Sequence, residues 1–147
     1  MRNYKEFTIT RPDYYDTLKV RVYKTLQSLQ KACKEINKNQ DFSETDGAEI
    51  NSGFKIINGI NYTPDMFTII CLCEQSMELE IIAHECIHAT FTHERNVLRF
   101  NAVYIEKEHE ERFAYYYNWL LSIILKTLLD NGYKVNVFEN GKKKVAK

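Results

Sequence analysis

The stretch Ile81-Ile82-Ala83-His84-Glu85-Cys86-Ile87-His88-Ala89 constrains this chain more than any other. Leu79, Ile82, Ala83, Cys86, Ile87 and Ala89 make its turns largely apolar, which predicts a buried helix whose polar groups need partners. His84 and His88 are four residues apart, so a 3.6-residue period puts both imidazoles on one face, one turn apart. Two imidazoles so placed can hold a single metal ion. Glu85 follows the first of them directly and can take a proton from a water bound to that ion. Zinc is the expected ion, because it favours histidine and carboxylate ligands.

A catalytic zinc site uses three protein ligands and keeps one position open, so a third ligand is required. His93 follows His88 by five residues, but the extended H-E-x-x-H-x-x-G-x-x-H pattern needs glycine where Phe91 stands and histidine where Glu94 stands. Glu111 is the first choice. It lies in a later predicted helix whose apolar positions Ala114, Leu121, Leu125 and Leu128 form a stripe, and one step back along that stripe reaches Glu111. Small Ala114 would let the two helices approach closely. Glu110 and His109 are the substitutes if the helical phase is off by one, and Glu108 fits a solvated acidic first turn.

The 147 residues, 44% hydrophobic with 8 Phe, 10 Tyr and 1 Trp, supply enough apolar surface for one core. One domain is expected over residues 1–138, with 139–147, rich in lysine, as a disordered tail. Twenty basic residues balance twenty acidic ones, so no global charge directs the chain toward nucleic acid or an anionic membrane. Neither a secretory signal nor an apolar run of about 18 residues is present, which predicts a cytoplasmic protein. Cys33, Cys71, Cys73 and Cys86 lack the spacing of a disulfide framework. Cys71-x-Cys73 lacks a second Cys or His pair nearby and reads as two small buried hydrophobes.

Leu18, Val20 and Val22 alternate with Lys19, Arg21 and Tyr23, which predicts a half-buried strand. Leu26, Leu29, Cys33 and Ile36 then recur at helical spacing over about 25–37. Residues 41–53 read as a polar loop. Asn58-Gly59 predicts a hairpin turn between two short strands. The apolar run Met66 to Cys73 predicts a strand either covered on both faces or bordering a cleft, where it can bind a substrate by strand addition. Ser76 is the expected N-cap of the motif helix over about 77–93, a long helix is expected over about 105–131, and a short last strand over 133–138.

With these residues in view, His84-Glu85-Cys86-Ile87-His88-Ala89 followed by Glu111-x-x-Ala114-Tyr115 resembles the gluzincin branch of zinc metallopeptidases. It is also similar to short metallopeptidase-like proteins of tailed phages and prophages, and the resemblance covers roughly Phe54 to Leu129. It implies an α+β, minimal zincin-like fold, with a small, mostly antiparallel sheet packed on the motif helix and a second long helix that bears a ligand. It further implies zinc held by His84, His88 and Glu111, with Glu85 as general base in hydrolysis of a peptide or protein substrate. Tyr115 stands where thermolysin-like members carry an aspartate that orients a zinc histidine; Glu110 or Asn118 can take that part. Tyr115, Tyr116 and Tyr117 are candidate oxyanion donors. The alternative function is a catalytically idle, zinc-stabilised binding protein, a phage factor that engages a host protein.

Overall fold

In chain order the elements are β1 (Tyr4–Ile9), β2 (Thr17–Tyr23), α1 (Leu26–Ile36), β3 (Ala48–Asn51), β4 (Lys55–Ile57), β5 (Ile60–Tyr62), β6 (Phe67–Cys73), α2 (Leu79–Thr92), α3 (Lys107–Asp130), β7 (Val135–Glu139) and β8 (Lys142–Ala146). This computed structural model describes residues 2–10, 17–36, 41, 43, 47–51, 55–57, 60–62, 67–93, 107–139 and 142–146. The Asn58-Gly59 turn lies outside them, but the strands on either side pair antiparallel, Ile57 opposite Ile60.

The main sheet has the order β1-β2-β6-β3. β1 runs antiparallel to β2, β2 parallel to β6 with Val20 opposite Ile70, and β3 antiparallel to β6 with Ala48 opposite Cys71. The period of two in the two central strands divides their side chains between two cores. Leu18, Val20, Val22, Ile70 and Leu72 pack with Ile82, Cys86 and Ala89 of α2 and with Tyr116, Leu120, Ile124 and Leu128 of α3. Tyr23, Ile69, Cys71 and Cys73 pack on the opposite face with Leu29 and Cys33 of α1. The fold is therefore α+β, a mixed sheet with helices against both faces. No described helix is long and apolar enough to cross a membrane.

Four expectations change. β6 lies between β2 and β3, so its backbone is occupied on both sides, and the edge strands among the described residues are β1 and, on the side of β6, β3. Strand addition to β6 is thereby excluded. β3 itself falls in the stretch read as a polar loop, because Glu49 and Asn51 are poor strand formers and its pairing comes from β6, a tertiary effect that local pattern does not carry. Ser76 does not cap α2: Glu74–Ser76 forms a 3-10 turn, and the N-cap is Glu78, extended and without a side-chain cap bond. Met77, 1% exposed, is drawn into the core there, where its carbonyl accepts a 2.8 Å hydrogen bond from the Asn136 N–H, and this interrupts the helix. Finally, residues 142–146 pair with β7, Glu139 opposite Lys142 and Val135 opposite Ala146, where a disordered tail was expected. Val135 is fully buried and anchors β7, which leaves an edge on which the lysine-rich segment adds as a strand.

The end of α3 follows the expectation: Gly132 takes φ 83°, and Gly132 N–H and Tyr133 N–H donate back to Leu129 and Leu128 carbonyls. Its buried stripe is different. Tyr116, Leu120, Ile124 and Leu128 face the core, while Ala114 is exposed and Leu121 and Leu125 are half-buried. Leu120 is fully buried where α3 meets the sheet, so Leu120→Ala is expected to lower unfolding free energy by about 2–5 kcal/mol with an unchanged m-value, measured by denaturant titration.

Candidate metal centre

α2 presents two faces. Ile82, Glu85, Cys86, Ala89 and Thr90 are buried, whereas His84, Ile87 and His88 are exposed. The histidines expected in the interior thus stand on the solvent side of the helix, because the core stripe Ile82, Cys86 and Ala89 is out of phase with positions 84 and 88. The two imidazoles nevertheless converge. Their Nε2 atoms are 3.0 Å apart, with ring centroids 4.7 Å apart and planes at 78°, so that one Nε2 donates and the other accepts.

That geometry bears on whether a metal fits. Metal–nitrogen bonds of about 2.0–2.1 Å drawn to two nitrogens 3.0 Å apart meet at roughly 95°. Opening the pair by about 0.3 Å brings the angle to tetrahedral, within reach of a small χ rotation on an exposed surface. The Nε2 pair therefore fits two adjacent positions of a zinc site.

Glu85 sits on the inner side of the helix and is 6% exposed. It faces the start of β3, where a Cβ placed on Gly47 would lie 3.4 Å from both its Cγ and its Oε1. The edge strand and its leading glycine thus wall the carboxylate side of the motif. Sequence reasoning missed this wall: Asp46-Gly47 is a turn signal, and nothing local indicates that the turn abuts a helix thirty-odd residues on.

Glu111 takes a different place from the one its stripe predicts. It is exposed, on the outer side of α3 with Ala114 and with Tyr115, which is 70% exposed. The face of α3 turned to α2 carries Phe113, its ring 4.8 Å from that of Phe91, and Tyr116, stacked at 4.0 Å on His93. Among the described residues, no third His, Cys, Asp or Glu joins the His84–His88 pair. Glu110 is exposed, and the side chain of His109 lies outside the described residues. His93, 1% exposed and stacked, belongs to the packing between the two helices.

The three tyrosines separate in the same way: Tyr115 points outward, Tyr116 is in the core, and Tyr117 is half-buried, its phenol raised by burial and by the nearby Cys86. Cys86 lies inside the motif but is fully buried; burial, helped by the charge of Glu85, pushes its thiol up to about 12. The thiolate fraction at pH 8 is then only about one part in ten thousand. Native protein treated with iodoacetamide at pH 8 is expected to leave Cys86 unmodified, and denatured protein to modify it, as read by peptide mass spectrometry. Native labelling at the rate of a free thiol would contradict this packing. On the far face of the sheet, Cys33 and Cys71 share a thiol hydrogen bond that raises Cys71 and lowers Cys33.

No family model, curated protein or solved structure matches the chain.

Proposed function

We propose that the protein is a zinc-dependent metallopeptidase, with His84 and His88 as ligands and Glu85 as general base. The observation that carries this reading is the convergence of the two exposed Nε2 atoms to 3.0 Å with a walled carboxylate one residue away. Exposure of the histidines supports it, because a hydrolytic centre must be reached by a macromolecular substrate. The third ligand is proposed to be Glu111, which stands apart from the histidine pair in this structure and would have to be brought to it by α3, with Glu110 and His109 as its neighbours in sequence.

When bound, zinc supplies Lewis acidity and a water whose pKa falls to about 7. The protein's own groups do the rest. As general base Glu85 would hold the proton released by the attacking water and would pass it to the departing amine, and its low exposure would keep bulk solvent from competing for it. β3 offers an outer edge beside the Ile81–Glu85 side of α2, and an extended peptide added there would be held by main-chain hydrogen bonds, with little demand on its side chains. A substrate so held lies along the motif helix with its backbone fixed, which orients a peptide bond at the site.

The test is elemental analysis of untagged protein purified without added metal, followed by a peptide-library cleavage assay. About one zinc per chain and cleavage abolished by chelator are expected. Protein that takes up no zinc even when it is supplied would sink the reading.

A further inference from the structure

We propose that Gly47 is a positioning residue for Glu85: the side chain it lacks is what lets the edge strand close against the motif helix and fixes where the Glu85 carboxylate stands. The role given to Glu85 rests on the function proposed above; the contact at Gly47 does not.

The glycine is not there for its backbone conformation, since Gly132 alone among the described glycines has a positive φ. It is there for space. Gly47 is buried, and a Cβ at this position would come within 2.6 Å of Ile81 Cγ2 and 3.4 Å of Glu85 Cγ and Oε1. Carbon atoms pack at about 3.5–4.0 Å, so a methyl group at residue 47 cannot share that space with Ile81. Nor can Ile81 easily move away: Cγ2 is attached directly to Cβ, and a β-branched side chain in a helix is held largely to one χ1 rotamer. β3 has to give instead. It pairs on one side only, with β6, so it lifts more readily than the central strands β2 and β6. An added Cβ would by itself meet Glu85 Cγ and Oε1 only at 3.4 Å, ordinary van der Waals distance, so Glu85 is not the obstacle but lies next to Gly47 and loses that neighbour when β3 lifts. Ile81 is therefore the obstacle and Glu85 the group displaced, so removing the obstacle should rescue the position.

The experiment compares wild type, Gly47→Ala, Ile81→Ala and the double variant. In zinc-free protein, Gly47→Ala is expected to lower Tm by roughly 5 °C in the wild-type background and by less than about a third of that once Ile81 is replaced by alanine. The nuclear Overhauser contact between Gly47 Hα and the Glu85 side chain in wild type should have no counterpart from residue 47 in Gly47→Ala, and should return from residue 47 in the double variant. In the zinc-loaded protein, Gly47→Ala should reduce kcat about tenfold or more with KM and zinc content unchanged, and Ile81→Ala should restore it. An equal Tm cost in both backgrounds, or a Glu85 contact that survives Gly47→Ala, would overturn the proposal. Wild type that binds no zinc or cleaves nothing would instead defeat the functional reading, while the melts and the Overhauser contact still decide whether Gly47 sets the position of Glu85.

Discussion

Glu85→Gln should abolish turnover while leaving the metal in place. A general base contributes about 10²–10⁴-fold to a proton-transfer step, and kcat is expected to fall by that factor. Glutamine is the informative substitution because Glu85 is 6% exposed and packed beside Gly47; an isosteric amide keeps that packing, whereas alanine would leave a hole and mix a structural effect with the chemical one. Zinc content should remain at the wild-type level, since Glu85 is not one of the proposed ligands and the two histidines are exposed while it is buried. Measured with zinc-loaded protein and a chromogenic peptide identified from the library, unchanged kcat would remove the base role from Glu85. A wild type that holds zinc but cleaves nothing, and whose partner binding is unaffected by Glu85→Gln, would favour the binding-protein alternative.

How much of this was legible in the sequence depends on where the information resides. The motif helix, α1, β2, β6 and the Asn131-Gly132 stop of α3 are written in local periodicity and capping chemistry, and the structure has them within a few residues of the expected bounds. β3 and β8 are strands because a neighbour supplies their hydrogen bonds, β6 in one case and β7 in the other, and their own residues argue for loop or tail. The error on α3 has a simpler origin. Positions 114, 121, 125 and 128 and positions 116, 120, 124 and 128 both satisfy a helical spacing, and the expectation followed the first, in which Glu111 is one step back from Ala114. Burial of Tyr116 against His93 decides for the second stripe and turns Glu111 outward. The phase of a helix rich in apolar residues on several sides is fixed by its neighbours, and one residue of phase is about 100° of rotation. For the site, the spacing of His84 and His88 alone determined that their rings would meet; which face of α2 they would occupy was not determined by it.

That exposure makes the ligand substitutions clean experiments. His84→Ala and His88→Ala replace solvent-facing side chains, so the zinc-free proteins should match wild type in stability within about 0.5 kcal/mol. Losing an outer-shell partner already costs 10–100-fold in metal affinity, so losing a ligand should weaken zinc binding by at least about 100-fold. Linkage supplies a second readout: zinc at about 100 times its Kd should stabilise wild type by about 2.7 kcal/mol, and that Tm rise should be absent from both histidine variants. Glu111→Ala is the discriminating member of the set. If Glu111 closes the site, its variant should lose the Tm rise as fully as the histidine variants do, and α3 must then bring the carboxylate round from its outer stripe when the metal binds. If the Tm rise persists, the third ligand lies elsewhere at the start of α3, and Glu110→Ala and His109→Ala tested in the same way would separate a second carboxylate from a third imidazole. A rise that survives His84→Ala itself would place the zinc away from the motif altogether, and the peptidase reading would go with it.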